Sequence, residues 1–169
     1  MIKVHDKPKT IKKPDWLKIK LKTTADFNDM KSLMSEHKLN TVCEEAKCPN
    51  IYECWNQRTA TVMILGDICT RACGFCSVKT GKPLTADLNE PYRVSDLVEK
   101  LNLKHVVITS VDRDDLKNDY GSEIWHDTIL AIKEKSPNCT IEVLTPDFRG
   151  YKPSLDYVFM AKPHIFSHN

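Results

Sequence analysis

The 169-residue sequence lacks any long apolar run, and only 8% of its residues are aromatic. A helix that crosses a bilayer needs about 20 consecutive apolar residues, so no membrane span or membrane partner is predicted. The start of the chain has no apolar stretch of the secretory type, and it lacks the arginine and serine bias of a transit peptide. We therefore expect a cytoplasmic location.

The basic residues are concentrated at the start of the chain. The net charge is only +2, yet residues 1–22 contain eight lysines and two aspartates. Because the few aromatic residues are not interleaved with basic ones, a nucleic-acid partner is not predicted. This basic arm either docks an acidic protein partner or is a solvated terminus, and the sequence leaves both interpretations open.

Cysteine is the unusual component of the composition, with seven residues. In a cytoplasmic protein, many cysteines favour metal or redox chemistry over disulfides. Cys139 stands alone before a predicted strand and is expected to be a buried, inert thiol. The other six form a first trio, spaced C-x4-C-x5-C, and a second trio, spaced C-x3-C-x2-C: Cys43, Cys48 and Cys54, and then Cys69, Cys73 and Cys76.

Short strands alternate with helices from residue 59 onward. Strands are predicted in TATVMILG, KHVVITS, TIEVLTP and HIFSHN, with helices capped at Ser95 and Ser122 and a third helix in SLDYVFMA. This alternation predicts parallel βα units, hence an α/β fold. Four strands are too few to close an eight-stranded barrel, so we expect a partial (β/α) barrel truncated after about four strands.

Residues 1–58 are predicted to form an N-terminal extension, separate from a barrel portion at 59–169. Asp26 is expected to cap a helix in this extension. The first trio is expected in an irregular stretch broken by Pro49.

Three thiols are one fewer than a closed zinc site uses, and the sequence offers no second C-x2-C pair beside the second trio. A cubane iron–sulfur cluster fits better, because three cysteines leave one of its four irons open to another ligand. The second trio follows the first predicted strand of the alternating region, on the face that carries the chemistry in parallel α/β barrels. A non-catalytic zinc-binding module remains the alternative from a different functional class.

These motifs carry a family resemblance. The C-x3-C-x2-C spacing with Phe75 before the last cysteine resembles the radical SAM superfamily. Together with CEEAKCPNIYECW upstream, and with KPDWLKIKL, TSVDRDDL, IEVLTPDFRG and IFSHN, the chain resembles the N-terminal portion of the lipoyl synthase family. Another radical SAM enzyme that inserts sulfur is the nearer alternative, which the upstream position of the first trio disfavours.

The resemblance implies two [4Fe-4S] clusters and S-adenosylmethionine as cofactors. The second trio would hold the cluster that binds and cleaves S-adenosylmethionine, and the first trio a sacrificial auxiliary cluster. The implied reaction inserts two sulfur atoms at C6 and C8 of a protein-bound octanoyl chain. The implied partners are an octanoylated lipoyl carrier domain and an electron donor of the ferredoxin or flavodoxin type.

One departure from the family concerns the auxiliary cluster. Its fourth ligand in the family is a serine in an R-S-S-I-R motif, which this sequence does not contain. We do not assign Ser167 to that role. The chain is expected to be a fragment of a longer product, with a short inactive form as the alternative.

Three further residues are candidates for cofactor contact. Phe75 is expected to present its backbone to the adenine. Arg113 lies in the VDRDDL loop after the second strand, and it is expected to orient the cofactor or contact the auxiliary cluster together with Asp112, Asp114 and Asp115, with a solvated loop as the alternative. Glu142 alternates with Ile141 and Val143 in the third strand, so it faces the other way. Burial of a lone carboxylate there costs free energy unless the carboxylate is paired, which favours a contact between Glu142 and a cofactor. Arg149 is a further candidate or an ordinary surface arginine.

Overall fold

The computed structural model describes Pro14 and residues 23–168. The basic arm, except for Pro14, lies outside the described residues, and so does its predicted docking role. The strands are β1 (Asn40–Thr41), β2 (Thr61–Ile64), β3 (Ile68–Cys69), β4 (Lys79–Thr80), β5 (His105–Ser110), β6 (Thr140–Thr145) and β7 (Ile165–His168). The helices are α1 (Ala25–Glu36), α2 (Val42–Glu45), α3 (Ile51–Asn56), α4 (Glu90–Lys100), α5 (Ser122–Lys135) and α6 (Lys152–Met160).

A five-stranded sheet, in the order β1-β2-β5-β6-β7, forms the centre of the molecule. The four predicted strands pair in parallel and in chain order, and β1 joins β2 antiparallel. The expected α/β class with a mostly parallel sheet is therefore confirmed. A short parallel pair, β3 with β4, lies outside the main sheet and was not predicted.

The two faces of the sheet differ in burial. Alternate residues of β5 and β6, such as Ile108 and Val143, are buried and share one core with apolar residues of α4, α5 and α6. The residues between them, including Thr109, Glu142 and Leu144, are partly exposed on the opposite face. This period of two is what a strand with one covered face requires. The carboxyl ends of the four parallel strands lie at one edge, and the second trio follows β2 there.

The helices occur where predicted, but three predicted caps are wrong. Helix α1 is capped by Thr24, whose side chain accepts from the Phe27 amide, rather than by Asp26. Ser95 is buried within α4, which begins five residues earlier beside Pro91. Helix α5 starts at Ser122 after Gly121, which adopts a φ of 85°. The sequence contained several cap-forming residues near each start, and local preference alone did not choose among them.

The expected irregular stretch around the first trio is also wrong in part, since it contains the short helices α2 and α3. Helix α3 packs on α1 through aromatic side chains. The ring of Phe27 lies 5.1 Å from that of Tyr52 and 5.2 Å from that of Trp55, between centroids. Arg58 adds ion pairs to Asp26 and Asp29 of α1. These contacts hold α1 and α3 together, while the extension joins the rest of the molecule through the shared apolar core and through the pairing of β1 with β2.

Within residues 23–168, no helix is both long enough and apolar enough to cross a membrane.

Candidate functional site

A cavity of about 390 Å³ lies at the carboxyl ends of β2, β5 and β6. All three cysteines of the second trio line it, together with Phe75. Its floor includes Met63, Thr109 and Leu144, which share the partly exposed face of the sheet. Val42 and Ala46, which flank Cys43 along α2, form part of another wall. The cavity therefore lies against the second trio and beside the short helix that carries Cys43, the first cysteine of the other trio.

The second trio combines one buried and two exposed thiols. Cys69 ends β3 and is buried, whereas Cys73 and Cys76 are exposed and joined by a turn with a 3.0 Å hydrogen bond between their backbones. The backbone amides of Asp112 and Arg71 donate to Sγ of Cys69 at 3.2 and 3.4 Å. Burial raises the pKa of the Cys69 thiol, and these two donors act in the opposite direction.

The first trio is held by the two short helices. Cys43 is buried in α2, Cys54 lies in α3, and the Cys48 amide donates to the Cys43 carbonyl at 3.0 Å. The pKa of Cys54 is raised, first by burial and then by the nearby Cys43 and Cys48 thiols. Cys43 and Cys48 therefore lie close enough to Cys54 to influence its charge.

Both trios offer the donor set of an iron–sulfur cluster. All six cysteines are free thiols, and cysteine thiolates are the ligands that hold [4Fe-4S] clusters. A cubane binds each thiolate at a different iron, so its ligands surround the cluster rather than meet at one point. Within the part of the chain that the structure describes, no group of three or more His, Cys, Asp or Glu side chains is arranged around a single metal ion.

Arg71, between Cys69 and Cys73, fastens the second trio to the neighbouring loops. Its guanidinium makes two 2.8 Å hydrogen bonds to the carboxylate of Asp114, from Nε and Nη2. It also contacts Asp147 at 2.8 Å and Asp112 at 3.3 Å. Arg71 lowers the pKa of Asp114 and of Asp147, while burial raises that of Asp112. Carboxylates that follow β5 and β6 thus meet at one guanidinium that follows β3.

Sequence comparisons relate the chain to known proteins. A family model described as the N-terminal domain of lipoyl synthase, of the Radical_SAM family, matches residues 2–48. A lipoyl synthase of Shouchella clausii (strain KSM-K16) is 56% identical over 165 residues, which are 97% of this chain and 53% of that relative. One from Staphylococcus aureus (strain JH9) is 55% identical over 160 residues, or 94% of this chain and 52% of the relative.

Over nearly its whole length the chain is homologous to curated lipoyl synthases. It spans about half the length of the curated relatives that it matches.

The three cofactor-contact candidates suggested by the family resemblance lie in different places. The side chain of Phe75 is 79% exposed at the cavity beside the second trio. Glu142 lies on the same face of the sheet as Leu144 but does not line the cavity. Its carboxylate accepts from Ser167 at 3.2 Å and lies 3.3 Å from Nε2 of His105. The pairing that its position demanded is thus supplied by the protein.

Arg113, in contrast, is only 3% exposed and is fully engaged with protein groups. Its guanidinium binds Asp115 through two hydrogen bonds of 2.8 and 2.9 Å and donates to the carbonyls of Leu65 and Leu84. It lies along a second, smaller cavity rather than beside the second trio. The structure gives Arg113 the contacts of a residue that holds the turn after β2.

Two other cysteine- and arginine-based expectations concern single residues. Cys139 is buried, and burial raises the pKa of its thiol, as expected of an inert side chain. Arg149 is about half exposed and contacts Asp114 at 3.3 Å.

Arg71 was not singled out from the sequence, although a signal existed. A basic residue between two cysteines of the second trio, with aspartates after two neighbouring parallel strands, predicts an ion-pair network at that edge.

Proposed function

We propose that this chain is the cluster-bearing part of a lipoyl synthase. The complete reaction would be radical-mediated insertion of two sulfur atoms at C6 and C8 of an octanoyl chain carried by a protein. The observation that carries the proposal is the position of the cavity, which is lined by the second trio and bordered by Val42 and Ala46 on either side of Cys43 in the first trio. A radical made at one cluster and a sulfur supplied from the other require such proximity.

The residues have distinct proposed roles. Cys69, Cys73 and Cys76 would hold a [4Fe-4S] cluster, leaving one iron open for S-adenosylmethionine, and the first trio would hold the auxiliary [4Fe-4S] cluster. When bound, the cluster of the second trio would supply an electron for cleavage of S-adenosylmethionine, and the auxiliary cluster of the first trio would supply sulfur. Phe75 would position the adenine at the rim of the cavity. Glu142, oriented by Ser167 and His105, would present a fixed carboxylate on the partly exposed face of the sheet.

The role of Arg113 is revised within this proposal. Its buried guanidinium would act on the cofactor site only through the turn at Leu65, which precedes Cys69 by four residues. We infer that the parallel sheet is the first part of a (β/α) barrel of the radical SAM type. The division into residues 1–58 and 59–169 is part of the same inference.

The proposed partners are those of the family. An octanoylated lipoyl carrier domain would deliver the substrate, and a ferredoxin- or flavodoxin-type protein would deliver electrons, in the cytoplasm. Nucleic acid and membrane are not proposed as partners.

Reductive cleavage of S-adenosylmethionine tests the assignment of the second trio. The full 169-residue chain is loaded with iron and sulfide under anaerobic conditions, and 5′-deoxyadenosine is measured after addition of dithionite. We expect product from the wild type and from a variant with the first trio changed to alanine. Replacement of the second trio should abolish the product. Equal product from both triple variants, or no product from the wild type, would contradict the proposal.

A further inference from the structure

The Cys69 sulfur occupies a site formed by two backbone amides. Those of Asp112 and Arg71 both donate to it, at 3.2 and 3.4 Å, and the residue is only 8% exposed. Cys73 and Cys76 are exposed at the rim. Hydrogen bonds to ligand sulfur tune iron–sulfur clusters, because they stabilise the extra negative charge of the reduced state. A residue that holds these two amides in place therefore controls the hydrogen bonds to the Cys69 sulfur.

Arg71 is the residue that holds them. Its own amide is one donor, and its guanidinium contacts the side chain of Asp112, which provides the other. The same guanidinium binds Asp114 with two hydrogen bonds and Asp147 with one ion pair. A planar guanidinium makes such a forked contact, which a lysine ammonium does not reproduce.

Thr70, which precedes Arg71, is also hydrogen-bonded to the loop after β5. The Thr70 amide and hydroxyl both donate to the Asp112 carbonyl, at 3.1 and 2.9 Å, and the hydroxyl accepts from the Asp114 amide. The loop of the second trio is thereby joined to the loops that follow β5 and β6.

We propose that Arg71 is a positioning residue that holds Cys69 in its two-amide site through Asp114 and Asp147, before a cluster is bound. The inference rests on the proposed function in taking Cys69 as a cluster ligand. Arg149 supplies the matched control, because it also contacts Asp114 and carries the same charge, but it lies outside the loop of the second trio.

Thiol alkylation of the cluster-free, full-length chain tests the geometry without any cofactor. Iodoacetamide is applied under reducing conditions, and the modified sites are followed in time by mass spectrometry. We expect Arg71→Gln to speed alkylation of Cys69 about tenfold or more, because it removes contacts to three carboxylates and the loss of a single charged contact already corresponds to about tenfold. Arg71→Lys should give an intermediate rate, and Arg149→Gln should stay within about twofold of the wild type.

Cys139 serves as the internal reference for global unfolding, because it is buried far from this loop in sequence. An equal acceleration of Cys139 would mean a general loosening and would overturn the inference, as would unchanged protection of Cys69 in Arg71→Gln. Asp114→Asn should act in the same direction as Arg71→Gln. The double variant should be no faster than the faster single one, because the two residues act as a unit.

The second readout is the reduction potential of the loaded chain. Loss of the two amide donors should lower the potential in Arg71→Gln by more than in Arg149→Gln, although both lose one positive charge. Equal shifts would overturn the inference. A chain that protects Cys69 as predicted but binds no iron would leave the positioning role intact and refute the proposed function instead.

Discussion

The carboxylate of Glu90 accepts a hydrogen bond from the backbone amide of Leu65 at 2.7 Å, and both residues are buried. Leu65 follows β2 with a φ of 69°, a conformation that is costly for a residue with a side chain. Arg113 holds the carbonyl of the same residue. The turn that directs the chain toward Cys69 is thus fixed at its amide by one buried charged side chain and at its carbonyl by another.

Two substitutions of Glu90 should distinguish how much its acceptor oxygen and how much its carboxylate charge contribute to stability. Glu90→Ala leaves the buried Leu65 amide without a partner and should lower the free energy of unfolding by about 1–3 kcal/mol. Glu90→Gln keeps an acceptor oxygen and should recover most of that loss. Urea unfolding of the three proteins at neutral pH measures both differences. Equal losses in the two variants would show that the hydrogen bond to Leu65 is not what stabilises the turn.

Gly121 should be intolerant of a side chain because it packs against the same turn. A Cβ at this position would lie 2.6 Å from Cδ1 of Leu65, and the residue has a φ of 85°. Gly121→Ala should therefore cost about 3 kcal/mol or more, from overpacking added to backbone strain. Gly150→Ala is the control, with a φ of 72° and no atom within 4 Å, and should cost only about 1–2 kcal/mol. Equal losses in thermal unfolding would refute the close contact.

The ion pair between Arg71 and Asp114 should make the free energy of unfolding depend on pH in the acidic range. The pKa of Asp114 is lowered from its ordinary value of 3.8 by hydrogen bonds from Arg71, so its folded state releases the proton more readily than its unfolded state. The stabilisation is complete above pH 3.8 and disappears as pH falls through the lower, folded pKa. The stability difference between wild type and Asp114→Asn should thus be constant near neutrality and shrink toward pH 2. A difference that grows on acidification would contradict this.

The edge of the sheet at β7 should promote self-association. Ile165 and Phe166 are exposed there, and the Phe166 ring packs on that of Phe159 at 4.7 Å. An open edge with exposed apolar side chains is a template for pairing with another chain. Ile165→Lys should reduce association, measured by light scattering over a range of concentrations. Leu130→Lys is the control, because Leu130 is equally exposed, at 43%, but lies on helix α5. Equal effects of the two substitutions would exclude the edge.

The sequence predicted the part of the fold that periodic patterns determine. The apolar runs in KHVVITS and TIEVLTP marked β5 and β6, and their parallel pairing followed from the intervening helix. Helix starts were missed where several polar residues competed, as at Thr24 and Asp26. Helices α2 and α3 are only four and six residues long, too short to show a helical period.

The site was predictable in composition but not in its connections. Both trios were evident as motifs, whereas the contacts of Arg71 and Arg113 depend on which loops the parallel strands bring to one edge. Arg113 was chosen for its place in a polar loop, and nothing in that pattern indicated that Leu65 and Leu84 would offer it carbonyl oxygens. Such contacts arise from tertiary structure between residues up to 48 positions apart.

The content of iron and acid-labile sulfide in the anaerobically purified chain tests the central claim most directly. Two [4Fe-4S] clusters predict about eight irons with matching sulfide, falling to about four when either trio is changed to alanine. Zinc in place of iron, or an iron content that neither triple substitution lowers, would contradict the account.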